Sequence, residues 1–284
     1  MVPEVLTEDG VRIVYDDLGP RDGVPVVLCH GLAAAGEQLR ADAEYFAGLG
    51  YRVLVPDLRG HGRSGTPAAM RREDFSIARM AEDMAAMLEQ AEVGPVHWVG
   101  NSLGGILARQ LLAGHAQRFR SLATFGTAYR LRLPRWGARL IPLSYALLGP
   151  GLNGWVTGRM TTRQAAARPM IALLIEAFDP EVGRLEAENL TSYDLIDNAV
   201  RARLPILLLR GGRDGPVNRA LRPTLARMQG RENFRLVDLP EGGHCANLDA
   251  TAAWRAALLR FWDSGRAAAP VADEESQARV ERQQ

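Results

Sequence analysis

The chain contains no lysine: all 34 of its basic residues are arginines. Without a side-chain amine there is no Schiff-base catalysis, no pyridoxal phosphate attachment and no phosphate loop built on lysine. Cysteine is almost as scarce, and Cys29 and Cys245 lie too far apart to form a metal-spaced pair. H-E-x-x-H and paired C-x-x-C patterns are missing, so no metal and no organic cofactor are expected. A dominant charge sign is lacking too. The formal net charge of +1 gives no electrostatic case for nucleic acid or an anionic membrane. No apolar run approaches the ~18 residues of a membrane span. The opening "MVPEVLTEDGVRIVYDD" has no basic stretch followed by an apolar one, so no secretory signal is read. These absences point to a reduced, cytoplasmic protein, monomeric or homodimeric, acting on a small molecule. Exclusive use of arginine suggests a GC-rich bacterial genome.

What is present is an alternation. At 284 residues, 47% hydrophobic and 24% charged, the chain suits one large domain with an insertion. "VRIVYDDLG", "PVVLC", "YRVLVP", "PVHWVG", "SLATFG", "PILLLRG" and "NFRLVDLP" read as short strands bounded by Gly, Pro or Asp. Several are apolar throughout, as parallel strands covered on both faces must be. Between them come helical patterns such as "SIARMAEDMAAMLEQAEV", whose apolar stripe reads as a core face. The fold class is therefore α/β, a mostly parallel central sheet flanked by helices. Residues 1–125 and 205–264 are assigned to this core. Residues 126–204 exceed one crossover and hold Gly- and Pro-broken apolar stretches. They are read as a crossover plus an inserted helical cap over the C-terminal edge of the sheet. Residues 265–284 have little to bury and read as a disordered tail.

The most informative segment is "HWVGNSLGGILA", a strand running through Gly100-Asn101-Ser102-Leu103-Gly104-Gly105 into a helix. It fits G-x-S-x-G, a nucleophile elbow. The turn lifts Ser102 out of the sheet; Gly100 and Gly104 avoid the clashes it would create, and Gly105 brings the helix close to the strand. The helix N-terminus favours developing negative charge. A hydroxyl needs a base, and the base an orienter. His97 lies within the strand and is expected beside the elbow. His115 reads as surface, and His30 and His61 precede glycines in early loops. His244, in "LPEGGHCANLD" between the last strand and the last helix, is the expected base. Asp214, after "PILLLRGGR", is the expected carboxylate, where strand ends collect ligand-facing groups. Asp194, Asp197 and Asp249 are its rivals.

With that assignment the order Ser102, Asp214, His244 is that of α/β-hydrolases, and roughly residues 5–264 resemble that superfamily's cap-bearing serine hydrolases. "CHGLAAAG" is similar to their oxyanion loop, which implies the backbone N–H groups of Leu32 and Leu103 as oxyanion donors. "VPDLRGHGRSG" resembles the following loop, with Arg59 and His61 pinning backbone. "EGGHCANLD" resembles the histidine loop. The implied reaction is ester hydrolysis through an acyl-enzyme on a small to medium apolar substrate. The resemblance leaves open a C–C hydrolase, a lactonase or a cofactor-free lyase or cyclase; a non-catalytic binding protein on the same scaffold is the other alternative. The Gly-Asn-Ser elbow resembles that of C–C hydrolases, yet Cys245 stands where those enzymes carry an aromatic residue. Ser102 in place of aspartate argues against epoxide hydrolase and haloalkane dehalogenase chemistry. His30, Gly31, Asn101, Leu140, Leu143, Tyr145 and Trp155 are expected to contribute to a substrate pocket.

Overall fold

A computed structural model describes residues 2–266, with the side chains of 264–266 excepted. The expected tail lies, from residue 267 on, outside the described residues.

Ten strands are present among them: β1 (Glu4–Leu6), β2 (Arg12–Leu18), β3 (Pro25–Cys29), β4 (Arg52–Pro56), β5 (Val96–Asn101), β6 (Phe119–Phe125), β7 (Arg130–Arg132), β8 (Ser192–Asp194), β9 (Ile206–Gly211) and β10 (Phe234–Leu239). Eight form one sheet in the order β1-β2-β4-β3-β5-β6-β9-β10. The β1-β2 and β2-β4 pairings are antiparallel, and every pairing from β4 to β10 is parallel.

Strand periodicity explains the two cores. Val27, Cys29, Leu54, Trp98, Leu122 and Leu208 face one side, against the helices Ile77–Gln90 and Leu103–His115. Val26, Leu28, Val53, Val99, Ala123 and Leu207 face the other, against the helices Arg40–Gly48 and Thr251–Arg266. Both faces are dry, so strands that alternate direction residue by residue still read as continuously apolar.

Between β6 and β9 the chain leaves the sheet. It builds the helices Leu140–Thr161, Arg168–Ala177 and Pro180–Leu190, then Ile196–Arg201. The first bends at Gly149 (φ 71°, ψ 164°) just before Pro150, where no regular helix can continue. Gly154 and Gly158 let it press on the second helix: a Cβ at Gly154 would lie 2.6 Å from Ala172 O. The spacing of "EAENLTSYDLIDNAV" predicts a helix, but a short strand interrupts it. Ser192–Asp194 pairs antiparallel with β7, and Arg130 meets Asp194 at 3.4 Å. Tertiary pairing across the base of the insertion outweighs local helical spacing there.

Candidate active site

Ser102 stands at the corner between β5 and the Leu103–His115 helix with φ 47° and ψ −111°. A residue with a Cβ adopts this region only at a cost of ~1–3 kcal/mol, held in place by its surroundings. Here Ser102 N–H donates to Phe125 O at 3.0 Å and Gly104 N–H to His30 O at 3.0 Å. The glycines are required by close approach. A Cβ at Gly100 would fall 2.4 Å from Gly105 N, one at Gly104 2.4 Å from Cys29 O, and one at Gly105 2.6 Å from Thr127 Oγ1.

His244 follows β10 and Asp214 follows β9, so both approach from the same sheet end as Ser102. His244 Nδ1 lies 2.9 Å from Asp214 Oδ2. An ionised carboxylate only accepts, so Nδ1 carries the proton and Nε2 keeps a free lone pair. Asp214 is buried, while the His244 side chain stays about one-third exposed at 34%. The three rival carboxylates have other partners. Asp194 pairs with Arg130, Asp197 with Arg227, and Asp249 accepts from Thr162 Oγ1, Arg163 N–H and Gly243 N–H.

The loop after β3 is pinned along its length. Ala33, at φ 55°, donates its N–H to His61 Nε2 at 3.1 Å, and Gly36 N–H donates to Asp57 Oδ1 at 2.7 Å. Burial alone would raise Asp57; the Gly36 N–H and the Arg63 guanidinium and N–H overcome it and hold the carboxyl below its usual range. Arg59 is anchored on Asp83 and Asp9 and donates to Asp74 O. Both Arg59 and His61 therefore secure backbone. Within the elbow, Gly105 and Ile106 N–H groups return to Ser102 O. Among the described residues, the N–H groups of Leu32 and Leu103 have no acceptor.

His30 departs from its expected place in the pocket. Its Nδ1–H donates to Gly31 O at 2.7 Å and its Nε2 accepts from Leu58 N–H at 3.0 Å. Both ring nitrogens are used and burial keeps the ring neutral, lowering its pKa. His97 is also elsewhere than expected. It sits near the start of β5, at the end away from the elbow, with Nδ1 2.7 Å from Ser121 Oγ and its ring stacked on Trp262. Cys29 and Cys245 are buried thiols whose pKa burial pushes up, which suits small core residues and not reactive ones.

Asn101 lines the cavity beside Ser102, but its side chain is occupied. Nδ2 donates to His244 O at 3.1 Å and Oδ1 accepts from Gln38 Nε2 at 3.1 Å. Behind Gln38, Asn247 Nδ2 donates to Gln38 O and to Asp42 Oδ2, and Arg255 Nε donates to Asp42 Oδ1. A buried polar chain thus ties the elbow to the histidine loop and to the last helix.

A family model described as the alpha/beta hydrolase fold matches residues 24–149. That stretch holds the oxyanion loop, the Asp57–Ser64 loop and the elbow. The chain has the α/β-hydrolase fold, the family model matching just under half of its length. The chain is 42% identical over 102 residues to a non-heme chloroperoxidase from Streptomyces lividans, covering 36% of this chain and 35% of that protein. It is 30% identical over 145 residues to a haloalkane dehalogenase from Psychrobacter cryohalolentis, covering 51% of this chain and 43% of the relative. The chain thus spans well under half the length of these curated relatives. Across almost the whole chain it resembles in fold a thermophilic esterase from Thermogutta terrifontis, with a TM-score of 0.80 at 21% identity, covering 93% of this chain and 99% of that one.

The cavity over the elbow is lined by Gly31, Leu32, Asn101, Ser102, His244 and Cys245 from the core. From above come Thr157, Thr161, Ile171 and Ile175. These four were missed in sequence. Leu140, Leu143 and Trp155 do not line this cavity but lie exposed on the outer surface, and Tyr145 spends its hydroxyl on Ile175 O at 2.7 Å. The reason is a helix apolar on nearly every side, so its residue types do not say which face turns inward. A threonine-to-threonine spacing of four, Thr157 to Thr161, was the one available sign of a polar inward stripe. The cavity holds about 50 Å³, far below the ~300–1,000 Å³ typical of drug-sized ligands.

Proposed function

We propose that this chain is a serine hydrolase that cleaves a carboxylic ester with a short acyl group through an acyl-enzyme. The observation that carries the reading is the 2.9 Å His244 Nδ1–Asp214 Oδ2 bond, with His244 and Ser102 lining one cavity. In this mechanism His244 Nε2 takes the Ser102 hydroxyl proton as Oγ attacks the carbonyl carbon. Asp214 orients the ring and stabilises the imidazolium. The N–H groups of Leu32 and Leu103 donate hydrogen bonds to the carbonyl oxygen as it becomes an oxyanion. The imidazolium then gives its proton to the departing alkoxide. Water, deprotonated by His244, attacks the acyl carbon and frees Ser102.

The identity of the nucleophile supports this reading over the halide-displacing chemistry named for one relative. That displacement uses a carboxylate nucleophile, and the elbow here carries a serine. The small cavity supports a short acyl group, with Ile171 and Ile175 closing its far side. No cofactor is required by any step.

The test is hydrolysis of p-nitrophenyl esters of graded acyl length by the wild type and Ser102→Ala, with fluorophosphonate labelling of both. Turnover and labelling by the wild type alone are expected. Each of the base and oxyanion contributions is typically ~10²–10⁴-fold, so Ser102→Ala should fall to background. Turnover of simple esters at trace rates with intact labelling would redirect the assignment to a lactone or C–C substrate. No labelling would favour a non-catalytic binding protein.

A further inference from the structure

The outer face of the insertion is unusual in two independent ways. Its apolar side chains are turned to solvent: Trp136, Leu140, Leu143, Leu147, Leu152 and Trp155 are all exposed, Leu147 to 74%. In the second half of the bent helix, Leu152, Trp155 and Arg159 recur at spacings of three and four. That places them on the side opposite Thr157 and Thr161, which line the catalytic cavity. The exposed stripe therefore looks away from the site, and pocket lining does not account for it.

The charge on this face is predominantly positive, with Glu176 the acid beside Trp155, Arg159 and Arg168. From Val93 to Ile175 the sequence has no Asp or Glu, while 126–175 carries Arg130, Arg132, Arg135, Arg139, Arg159, Arg163 and Arg168. Arg130 pairs with Asp194. Among the described residues, exposed Arg132, Arg135, Arg139, Arg159 and Arg163 have no carboxylate partner. Arg159 instead lies over the Trp155 ring, 3.8 Å from its centroid. The near-zero charge of the whole chain conceals this patch because most of its acidic residues lie elsewhere.

We propose that this face docks on an anionic membrane surface, its leucines and tryptophans entering the headgroup boundary and its arginines pairing with lipid phosphates. Exposed leucine and tryptophan beside unpaired arginine is the composition of an interfacial surface. No helix among the described residues is long and apolar enough to cross a membrane, so contact is from one side. A second copy fits less well, because a symmetric pairing would set several arginines against several arginines, and Glu176 alone cannot offset them. The proposal is independent of the ester reading.

The test is co-sedimentation of the full chain with vesicles of phosphatidylcholine containing a quarter phosphatidylglycerol, against pure phosphatidylcholine. Binding to the anionic vesicles, weakened by high salt, is expected. The pair Arg135→Gln and Arg139→Gln should lower that partition by roughly 30-fold, at about 1 kcal/mol per arginine. Leu143→Ser with Leu147→Ser should lower it at least about tenfold. All four positions are exposed, so melting temperatures should stay at the wild-type value. Of the five tryptophans, Trp98, Trp254 and Trp262 are buried. Brominated lipid should therefore quench only the emission of Trp136 and Trp155. Wild type that stays in the supernatant with both vesicles overturns the proposal, as does binding unchanged in both double variants or no quenching. A dimer split by the leucine pair, with no vesicle binding, overturns it in favour of self-association.

Discussion

Thr162 and Asp249 lie 87 positions apart and meet through a 2.6 Å hydrogen bond from Oγ1 to Oδ1. The same carboxylate accepts from Gly243 N–H at 2.8 Å, next to His244. One partly buried contact therefore fastens the end of the inserted helix to the histidine loop. Asp249 was a rival for the catalytic carboxylate; the structure gives it this joint instead.

Asp249→Ala should consequently destabilise the fold and disturb the site together. It removes charge-assisted bonds of ~1.5–3 kcal/mol each, partly replaced by water, for an expected loss of about 3 kcal/mol. Denaturant unfolding measures the loss, and ester kinetics should show a fall in kcat larger than any rise in KM. Unfolding within about 0.5 kcal/mol of wild type would mean that the joint contributes nothing.

The strain at Ser102 has its own test. Glycine adopts φ 47° without a Cβ clash, so Ser102→Gly should abolish turnover while stabilising the fold by about 1 kcal/mol. The gain is offset in part by glycine's greater freedom when unfolded. A melting temperature below that of Ser102→Ala would show that the corner is not strained.

Glu186 sets a pH dependence of stability. It is buried with neither oxygen hydrogen-bonded among the described residues, and burial raises its pKa well above the usual range. His61 Nε2 lies 3.5 Å away, but it already accepts from Ala33 N–H. Burial and the neighbouring His30 lower the His61 pKa to about 3, so both members of the pair are neutral. Native Glu186 thus holds its proton at pH values where the unfolded chain releases it, and stability falls as pH rises above the ordinary glutamate range. Glu186→Gln lacks that term, whereas the His61 contribution is common to both proteins and cancels. The variant should gain on wild type by up to ~1.4 kcal/mol per pH unit as the pH rises above the ordinary glutamate range. Melting curves above that range decide it; a constant offset would show that Glu186 is ionised in the fold.

Ile171 and Ile175 should govern acyl length. Truncating either to alanine opens the small cavity at its far wall, and a methylene in such a pocket is worth ~1–3 kcal/mol. The preferred p-nitrophenyl ester should lengthen by about two carbons, with kcat/KM for the acetyl ester unchanged or lower. An unchanged preference would mean that the acyl chain leaves by another route.

Several features were legible because the physics behind them is local. The elbow needs Gly100, Gly104 and Gly105 within six residues of one another, and their close contacts follow from the turn itself. The strands were legible because a sheet covered on both faces leaves no polar alternation. The inward face of the insertion was not, since a helix apolar on all sides has no preferred face until Gly149 bends it and Gly154 docks it. Nor was the placement of His30, whose buried, neutral ring is specified by Gly31 O and by Leu58 N–H from a loop beyond β4.

By itself, then, the sequence determined the α/β architecture, the serine corner and the order in which its expected partners follow. Those depend on hydrophobic period, on small residues at fixed short spacings and on strand ends that share one direction. Tertiary structure alone decided which of four aspartates reaches His244, which insertion residues close the cavity and which are left facing solvent. Each of those outcomes rests on contacts between segments tens of residues apart, where packing and hydrogen-bond satisfaction, and not local propensity, select the partner.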